Sequence, residues 1–256
     1  MKTYTKESLI EALIKIREKG WIPTGRKNND GGVGNTLEDL LGIEENNLPL
    51  PNAAEWELKA QKKDTTALIT LFHMEPSPRA YKFVPAFLLP GYGWQHQEAG
   101  KKYANSEKSF RQTINAARYS GRGFSVIVDR TNKKVMAVFN YGNIDLKSHA
   151  EWAKLVNKKL TPQPYWGFDD LFHKAATKLH NCFFVWAEAK KINGKLHFHY
   201  QDIFMLRKLD MGNFIDAIEK GDIYIDFDAR SGHNHGTKFR LRREALINLY
   251  AEVTRY

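Results

Sequence analysis

The chain has 256 residues, of which 42% are hydrophobic and 27% charged, the composition of an ordinary globular protein with a substantial core. Its formal net charge of +10 favours a polyanionic partner. The single cysteine, Cys182, lies in an apolar run, which predicts a buried thiol and excludes an internal disulfide. No apolar stretch approaches the ~20 residues that span a bilayer, and no signal peptide is recognisable, so we expect a cytoplasmic protein without a membrane partner.

Two helices are predicted at the beginning of the chain. Apolar residues at helical spacing indicate a first helix that is capped by Thr5 or Ser8 and ends at Gly20. A second, short helix is predicted over Val33–Gly42, with the glycine just past its end. The polar loop 24–32 before it is either a phosphate contact at the helix N-terminus or a solvated linker.

A strand predicted to open near residue 50 has an unusual polar face. Alternation places Trp56, Leu58 and Ala60 on an apolar face and Glu55, Glu57 and Lys59 on the other. Two carboxylates and an ammonium on one face are costly without a function. The Glu-x-Lys pattern fits a phosphodiesterase in which carboxylates hold Mg²⁺ and the lysine steadies an attacking water or the phosphorane charge. Taken alone, the tripeptide also fits a solvated strand edge.

The next segment is harder to interpret. A buried strand is predicted over residues 66–73, and His73 at its end is either a capped core residue or projects into a binding cleft. Residues 110–119 are predicted to form a helix with Arg111 and Arg118 two turns apart on one face.

The second half of the chain alternates strands and helices. A hairpin is predicted over residues 124–139, followed by a helix ending at Leu179 and a fully apolar strand over residues 181–187. A short helix over 214–220 and a strand over 221–228 come next. A helix followed by a buried strand is typical of α/β folds.

The stretch 230–243 is densely polar. Its arginines suit guanine edges or phosphates, and Asp226 or Asp228 at the end of the preceding strand could accept from cytosine N4. His233 and His235 either belong to the same interface or form a metal-binding pair.

Several stretches, in the expected order, resemble the MvaI/BcnI family of type II restriction endonucleases, relatives of the mismatch-repair nicking nuclease MutH. They are Val33–Gly42, Glu45–Asn47, Glu55–Lys59, Leu71–His73, Trp166–Leu171, Ala187–Lys190, Gly221–Ile223 and His233–Arg240. The resemblance implies an α/β fold with a mixed α+β sheet, of the restriction-endonuclease-like PD-(D/E)XK and MutH type, with two lobes around a DNA cleft. It also implies Mg²⁺-dependent hydrolysis of double-stranded DNA at a short CC-x-GG-type site, by a bacterial monomer that nicks one strand at a time. A cognate DNA methyltransferase is then expected in the same restriction–modification system, without a stable complex.

The resemblance assigns roles to residues of the predicted active site. Glu57 and Lys59 match the catalytic acid and lysine, and Glu38 matches a helix glutamate that borders the active site. Asn52 stands in the place of the metal-binding aspartate, so that Asn52 and Glu57 would be the metal ligands. We interpret the chain as an engineered, inactivated Asp→Asn variant. The alternatives are a natural enzyme in which Glu55 or Glu38 supplies the missing charge and a decayed DNA-binding protein.

The resemblance also assigns DNA-reading residues. His73 matches a histidine that is turned toward the central base pair, while Asp226 and Arg240 match readers of cytosine and guanine. Asp228 stands where the family has an arginine, and Arg230 is the candidate replacement. Three further residues complete the predicted DNA-binding set: His233, His235 and Lys238.

The predicted organisation is one endonuclease domain over residues 1–256. The catalytic core is expected around residues 1–75, with its sheet completed by 166–205. DNA-recognition elements are expected in 76–150 and 221–256. A MutH-like repair nicking endonuclease is the alternative function.

Overall fold

The computed structural model describes residues 4–25, 32–43 and 55–256, and Asn52 lies outside them. The helices are α1 (Lys6–Glu18), α2 (Gly32–Leu41), α3 (Leu89–Tyr92), α4 (Leu146–Leu155), α5 (Phe168–Leu179) and α6 (Met211–Glu219). The strands are β1 (Ile22–Pro23), β2 (Glu57–Lys62), β3 (Ile69–His73), β4 (Trp94–Gln95), β5 (Lys108–Ile114), β6 (Arg122–Asp129), β7 (Lys134–Ile144), β8 (Tyr165–Gly167), β9 (Asn181–Ile192), β10 (Lys195–Leu209), β11 (Ile223–Arg230), β12 (His233–Leu241) and β13 (Tyr250–Arg255). Within the described ranges, no helix is long and apolar enough to cross a bilayer.

The described residues form two compact units. The first comprises the residues up to Ile69, together with Ala175–Asp210 and Leu246–Tyr256. The second comprises Thr70–Lys174 and Met211–Ala245. The chain therefore passes through each unit more than once, and residues far apart in sequence become neighbours.

A mixed sheet is the centre of the first unit. Its strands run in the order β1-β10-β9-β2, and β13 pairs with β10. The pair formed by β2 and β9 is parallel, with Glu57 opposite Cys182 and Lys59 opposite Phe184. The other pairs of this sheet are antiparallel.

The two predicted N-terminal helices are confirmed and cover one face of this sheet. Thr5 caps α1 in a capping box with Ser8, and Gly42 follows α2 with a φ of +68°. Their buried side chains form a core with the apolar residues of β2 and β9; its members include Leu9, Leu13, Val33, Leu37, Trp56, Leu58, Phe183 and Val185. The predicted apolar face of β2 is therefore correct, and strand alternation directs Glu57 and Lys59 to the opposite face.

The second unit contains two sheets. One has the strand order β3-β12-β11-β5-β4, and the other has the order β6-β7-β8. The predicted hairpin over residues 124–139 is confirmed by the antiparallel pairing of β6 with β7. Aromatic side chains fill the interior beneath the first of these sheets, and Phe110, Phe227 and Phe239 are almost completely buried.

The helix predicted over residues 110–119 is wrong. Residues 108–114 form strand β5, which pairs antiparallel with β11, and Arg118 lies beyond its end. Phe110 and Ile114 are both buried at a spacing of four, which imitates a helical pattern, but Gln112 between them is buried as well. Burial therefore alternates with a period of two, and Arg111 lies on the exposed face of a strand.

Candidate functional site

The buried carboxylate of Glu57 is the centre of a charged cluster in the first unit. Glu57 is only 4% exposed, and its Oε1 accepts a hydrogen bond from Lys59 Nζ at 3.0 Å. Its Oε2 lies 3.0 Å from Lys178 Nζ, at the distance of an ion pair but without the geometry of a hydrogen bond. A buried carboxylate is tolerated when it is paired with opposite charge. Glu57, Lys59 and Lys178, named the Glu57 cluster below, thus place two cations against one anion.

Two segments that are distant in sequence contribute the residues of this cluster. The Glu-x-Lys pair comes from β2, whereas Lys178 lies in the last turn of α5, immediately before β9. Because β9 runs parallel to β2, the end of α5 reaches the first residue of β2. Sequence reasoning missed Lys178. The available signal was its place as the last lysine of a predicted helix directly before a buried strand.

A thiol and a phenol lie buried beside the cluster. Burial raises the pKa of Cys182 to about 12, with the Lys59 ammonium acting against this shift and the Glu57 carboxylate adding to it. Burial also raises the pKa of Tyr250 well above its usual value, and Cys182 and Glu57 contribute in the same direction. The prediction that Cys182 is a buried thiol is confirmed.

We expect Cys182 to resist alkylation in the folded protein. A thiol with a pKa of about 12 has roughly a thousandfold less thiolate at pH 8 than a free cysteine. Mass spectrometry after iodoacetamide treatment at pH 8 should show almost no modification without denaturant and complete modification in urea. Rapid alkylation of the native protein would contradict the buried position.

Of the two predicted metal ligands, Asn52 and Glu57, Glu57 belongs to the residues that the structure describes. Asn52 lies outside them, Glu38 is partly buried on α2, and Glu55 accepts a hydrogen bond from Trp56 Nε1 at 3.1 Å. No group of three acidic, histidine or cysteine side chains in the described ranges could hold a metal ion. One carboxylate still fits Mg²⁺, which keeps several water ligands and uses one or two carboxylates together with substrate phosphates.

A second polar cluster lies on the exposed face of the β5–β11–β12 sheet in the second unit. We call six of the side chains on this side the polar face: Arg111 and Thr113 of β5, Asp226 and Asp228 of β11, and Lys238 and Arg240 of β12. The intervening residues of these strands are buried, so the alternation of β-structure separates the polar face from an apolar underside.

Each acid of the polar face contacts side chains from both neighbouring strands. Asp226 accepts a hydrogen bond from Thr113 Oγ1 at 2.9 Å and from Arg240 Nη1 at 3.3 Å. Asp228 lies 2.9 Å from Arg111 Nε and 3.4 Å from Lys238 Nζ. The structure thus brings together Asp226, Asp228, Lys238 and Arg240, which the sequence already indicates as candidates, and adds Arg111 and Thr113 to them.

The remaining predicted DNA-binding residues have different surroundings. Arg230 forms an ion pair with Glu107 at 3.1 Å, and its guanidinium lies over the ring of Tyr103. His233 and His235 are exposed near the start of β12, with ring centroids 4.2 Å apart.

His73 lies at the end of β3, as predicted, and its side chain is exposed. Partial burial lowers its pKa below the usual value, with Lys238 and Lys174 adding to the effect and Glu75 and Asp226 opposing it. The imidazole is therefore neutral at pH 7 and has one donor and one acceptor nitrogen. Glu75 accepts hydrogen bonds from the backbone and side chain of Thr237 and so fixes β12 beside His73.

Comparison with known proteins assigns the family. The model of the MvaI/BcnI restriction endonuclease family matches residues 10–250. The chain belongs to the MvaI/BcnI restriction endonuclease family. A solved structure described as the complex of restriction endonuclease MvaI with cognate DNA substrate is 26% identical, with 99% of both chains covered and a TM-score of 0.78. A structure of MvaI in the absence of DNA is 23% identical over 100% of this chain and 99% of that one, with a TM-score of 0.55, and supports the fold alone. No curated protein sequence gives a significant match.

Membership in the MvaI/BcnI family confirms the resemblance inferred from the sequence and the mixed α+β fold of a restriction endonuclease. A restriction endonuclease family is a family of DNA nucleases, so the chain belongs to that class of enzyme. The roles of individual residues in the Glu57 cluster and on the polar face stay predictions.

Proposed function

We propose that the chain is a type II restriction endonuclease that hydrolyses double-stranded DNA at a short CC-x-GG-type site with Mg²⁺. The Glu57 cluster on the parallel β2–β9 pair is the observation that carries this proposal, since it places an acid and two ammonium groups together in a chain of this nuclease family. The similar MvaI structure is described as a complex with its cognate DNA, which supports a DNA partner.

The Glu57 cluster supplies the groups that phosphodiester hydrolysis needs. Glu57 and the residue at position 52 would hold Mg²⁺, which supplies Lewis-acid polarisation of the phosphate and an acidified water when bound. Lys59 Nζ donates to the carboxylate in this structure, and the same ammonium can donate to an attacking water or to the charge that develops on the phosphate. Lys178 adds a second positive charge on the other oxygen of Glu57.

Asn52 reduces the negative charge available at such a site. A neutral amide oxygen binds Mg²⁺ more weakly than a carboxylate, and Mg²⁺ must compete with two ammonium groups for the oxygens of Glu57. We therefore propose that this chain is an inactivated Asp→Asn variant that binds DNA and cleaves it slowly.

Base reading is assigned to the polar face together with His73. Arginine pairs bidentately with guanine O6 and N7, and a carboxylate accepts from cytosine N4, so neighbouring acids and arginines suit G·C pairs. Asp226 and Arg240 are such neighbours, 3.3 Å apart. His73, neutral at pH 7 because its pKa is lowered, can accept and donate at a base edge.

Two other functions predict different products. A MutH-like repair nickase would leave a single nick as its final product, whereas a restriction enzyme acting on each strand in turn would end in a double-strand break. A decayed DNA-binding protein would bind its site without cleavage even with aspartate restored at position 52. A monomeric state, a cytoplasmic location and an accompanying methyltransferase belong to the restriction proposal.

The proposal is tested by DNA binding of this chain. We expect a duplex with a CC-x-GG site to bind more tightly than a scrambled duplex of the same composition. If about six phosphates are contacted, affinity should fall about a thousandfold between 50 and 200 mM salt. Fluorescence anisotropy titrations at several salt concentrations measure both effects. Equal affinity for both duplexes under all conditions would exclude a site-specific enzyme.

A further inference from the structure

The most informative unassigned group is the Arg111–Asp228 pair on the polar face. Arg111 Nε lies 2.9 Å from Asp228 Oδ1, and the two residues are direct cross-strand partners in the β5–β11 ladder. The Arg111 side chain is 57% exposed and that of Asp228 is 25% exposed. Among the described residues, the closest approach in this ion pair is made by the Nε of Arg111.

The spacing of the polar face matches the spacing of base pairs. Asp226 and Asp228 are two residues apart on β11, which corresponds to about 6.8 Å along an antiparallel strand. Successive base pairs of B-DNA are about 3.4 Å apart, so this separation equals about two steps.

The polar face therefore contains two acid–arginine pairs. One is Asp226 with Arg240, and the other is Asp228 with Arg111. Each of these pairs combines a carboxylate that can accept from cytosine N4 with a guanidinium that can donate to guanine O6 and N7. Arg230 is a weaker candidate for the second guanidinium because it is paired with Glu107, whose side chain is 11% exposed, and lies over Tyr103.

We propose that Arg111 and Asp228 are specificity-determining residues that read a second G·C pair in the major groove, about two base-pair steps from the pair read by Asp226 and Arg240. This inference rests on the proposed function. On binding, the Arg111 guanidinium exchanges part of its ion pair with Asp228 for guanine O6 and N7, and the Asp228 carboxylate accepts from the cytosine of the same base pair.

The test is a selection from a duplex library with a randomised segment, performed with this chain and its variants in Ca²⁺, followed by sequencing of the bound DNA. Arg111→Ala and Arg111→Lys are compared because lysine keeps the charge and loses the bidentate fork. We expect both to lose about tenfold to a hundredfold of the preference for one G·C pair, with the other positions unchanged. Asp228→Asn should weaken the preference at the same pair.

Arg118→Ala is the matched control, because Arg118 is an exposed arginine of the same unit that lies outside the polar face. It should select the same site as the unchanged chain. If the unchanged chain selects a site and both Arg111 variants select the same site with the same base preference as the unchanged chain, Arg111 does not read a base and the inference is wrong. If this chain selects no sequence, the proposed function fails, and the inference fails with it.

Discussion

Asn52→Asp is expected to raise the rate of Mg²⁺-dependent plasmid cleavage by about a hundredfold or more over that of this chain. In the proposed site, the substitution adds a second carboxylate ligand for Mg²⁺, which must compete with Lys59 and Lys178 for the oxygens of Glu57. Supercoiled plasmid digested in Mg²⁺, with rates taken from the loss of the supercoiled form, measures the change. Sequencing of the product ends then identifies the cleavage site.

Two control variants make this result specific. Asn140→Asp introduces the same chemical change at an exposed position of strand β7, where the side-chain oxygen accepts from Gly142 N, and should leave the rate unchanged. Glu57→Gln in the Asn52→Asp background should abolish the gain, because the buried carboxylate is then lost. Equal rates for Asn52→Asp and the unchanged chain would favour a decayed DNA-binding protein, and a nick as the final product would favour a repair nickase.

Lys178→Met is expected to lower both stability and, in the Asn52→Asp background, cleavage. The side chains of Lys178 and Glu57 are 19% and 5% exposed, so the carboxylate loses a cation that solvent cannot replace. Because Lys59 still pairs with Oε1, we expect a loss of about 1–3 kcal/mol in the free energy of unfolding rather than the full cost of an unpaired buried charge. Cleavage at saturating DNA should fall about tenfold to a hundredfold.

Urea denaturation and single-turnover cleavage separate the two effects of Lys178→Met. Lys154→Met is the matched control, because Lys154 pairs with Glu151 on an exposed helix surface and such pairs contribute little. A variant that loses stability but cleaves at the original rate when fully folded would show that Lys178 acts on the fold alone. Unchanged stability would contradict the buried ion pair.

The sequence predicts local structure well, including the strand that carries Glu57 and Lys59, because this depends on patterns within short segments. The apolar face of β2, the helices α1 and α2, and the α5–β9 succession follow from spacing alone. The strand β5 was predicted as a helix because buried Phe110 and Ile114 are four residues apart, a spacing that occurs in both structures.

Contacts between distant segments are what the sequence does not predict. The hydrogen bond from Thr113 to Asp226 joins residues 113 positions apart, and the register of β5 on β11 alone decides that Arg111 faces Asp228. Lys178 was missed for the same reason, because its partner Glu57 lies on a strand that is more than a hundred residues earlier in the sequence. Strand pairing, rather than local propensity, determines which charged residues meet.

The parallel pairing of β2 with β9 has a consequence for the host cell during protein synthesis. The Glu-x-Lys pair leaves the ribosome early, but its strand partner, Lys178 and the strand β13 of the same sheet are translated much later. A growing polypeptide therefore lacks the sheet that positions Glu57 until β9 has been made. Under the proposed function, DNA cleavage would begin only when translation is nearly complete.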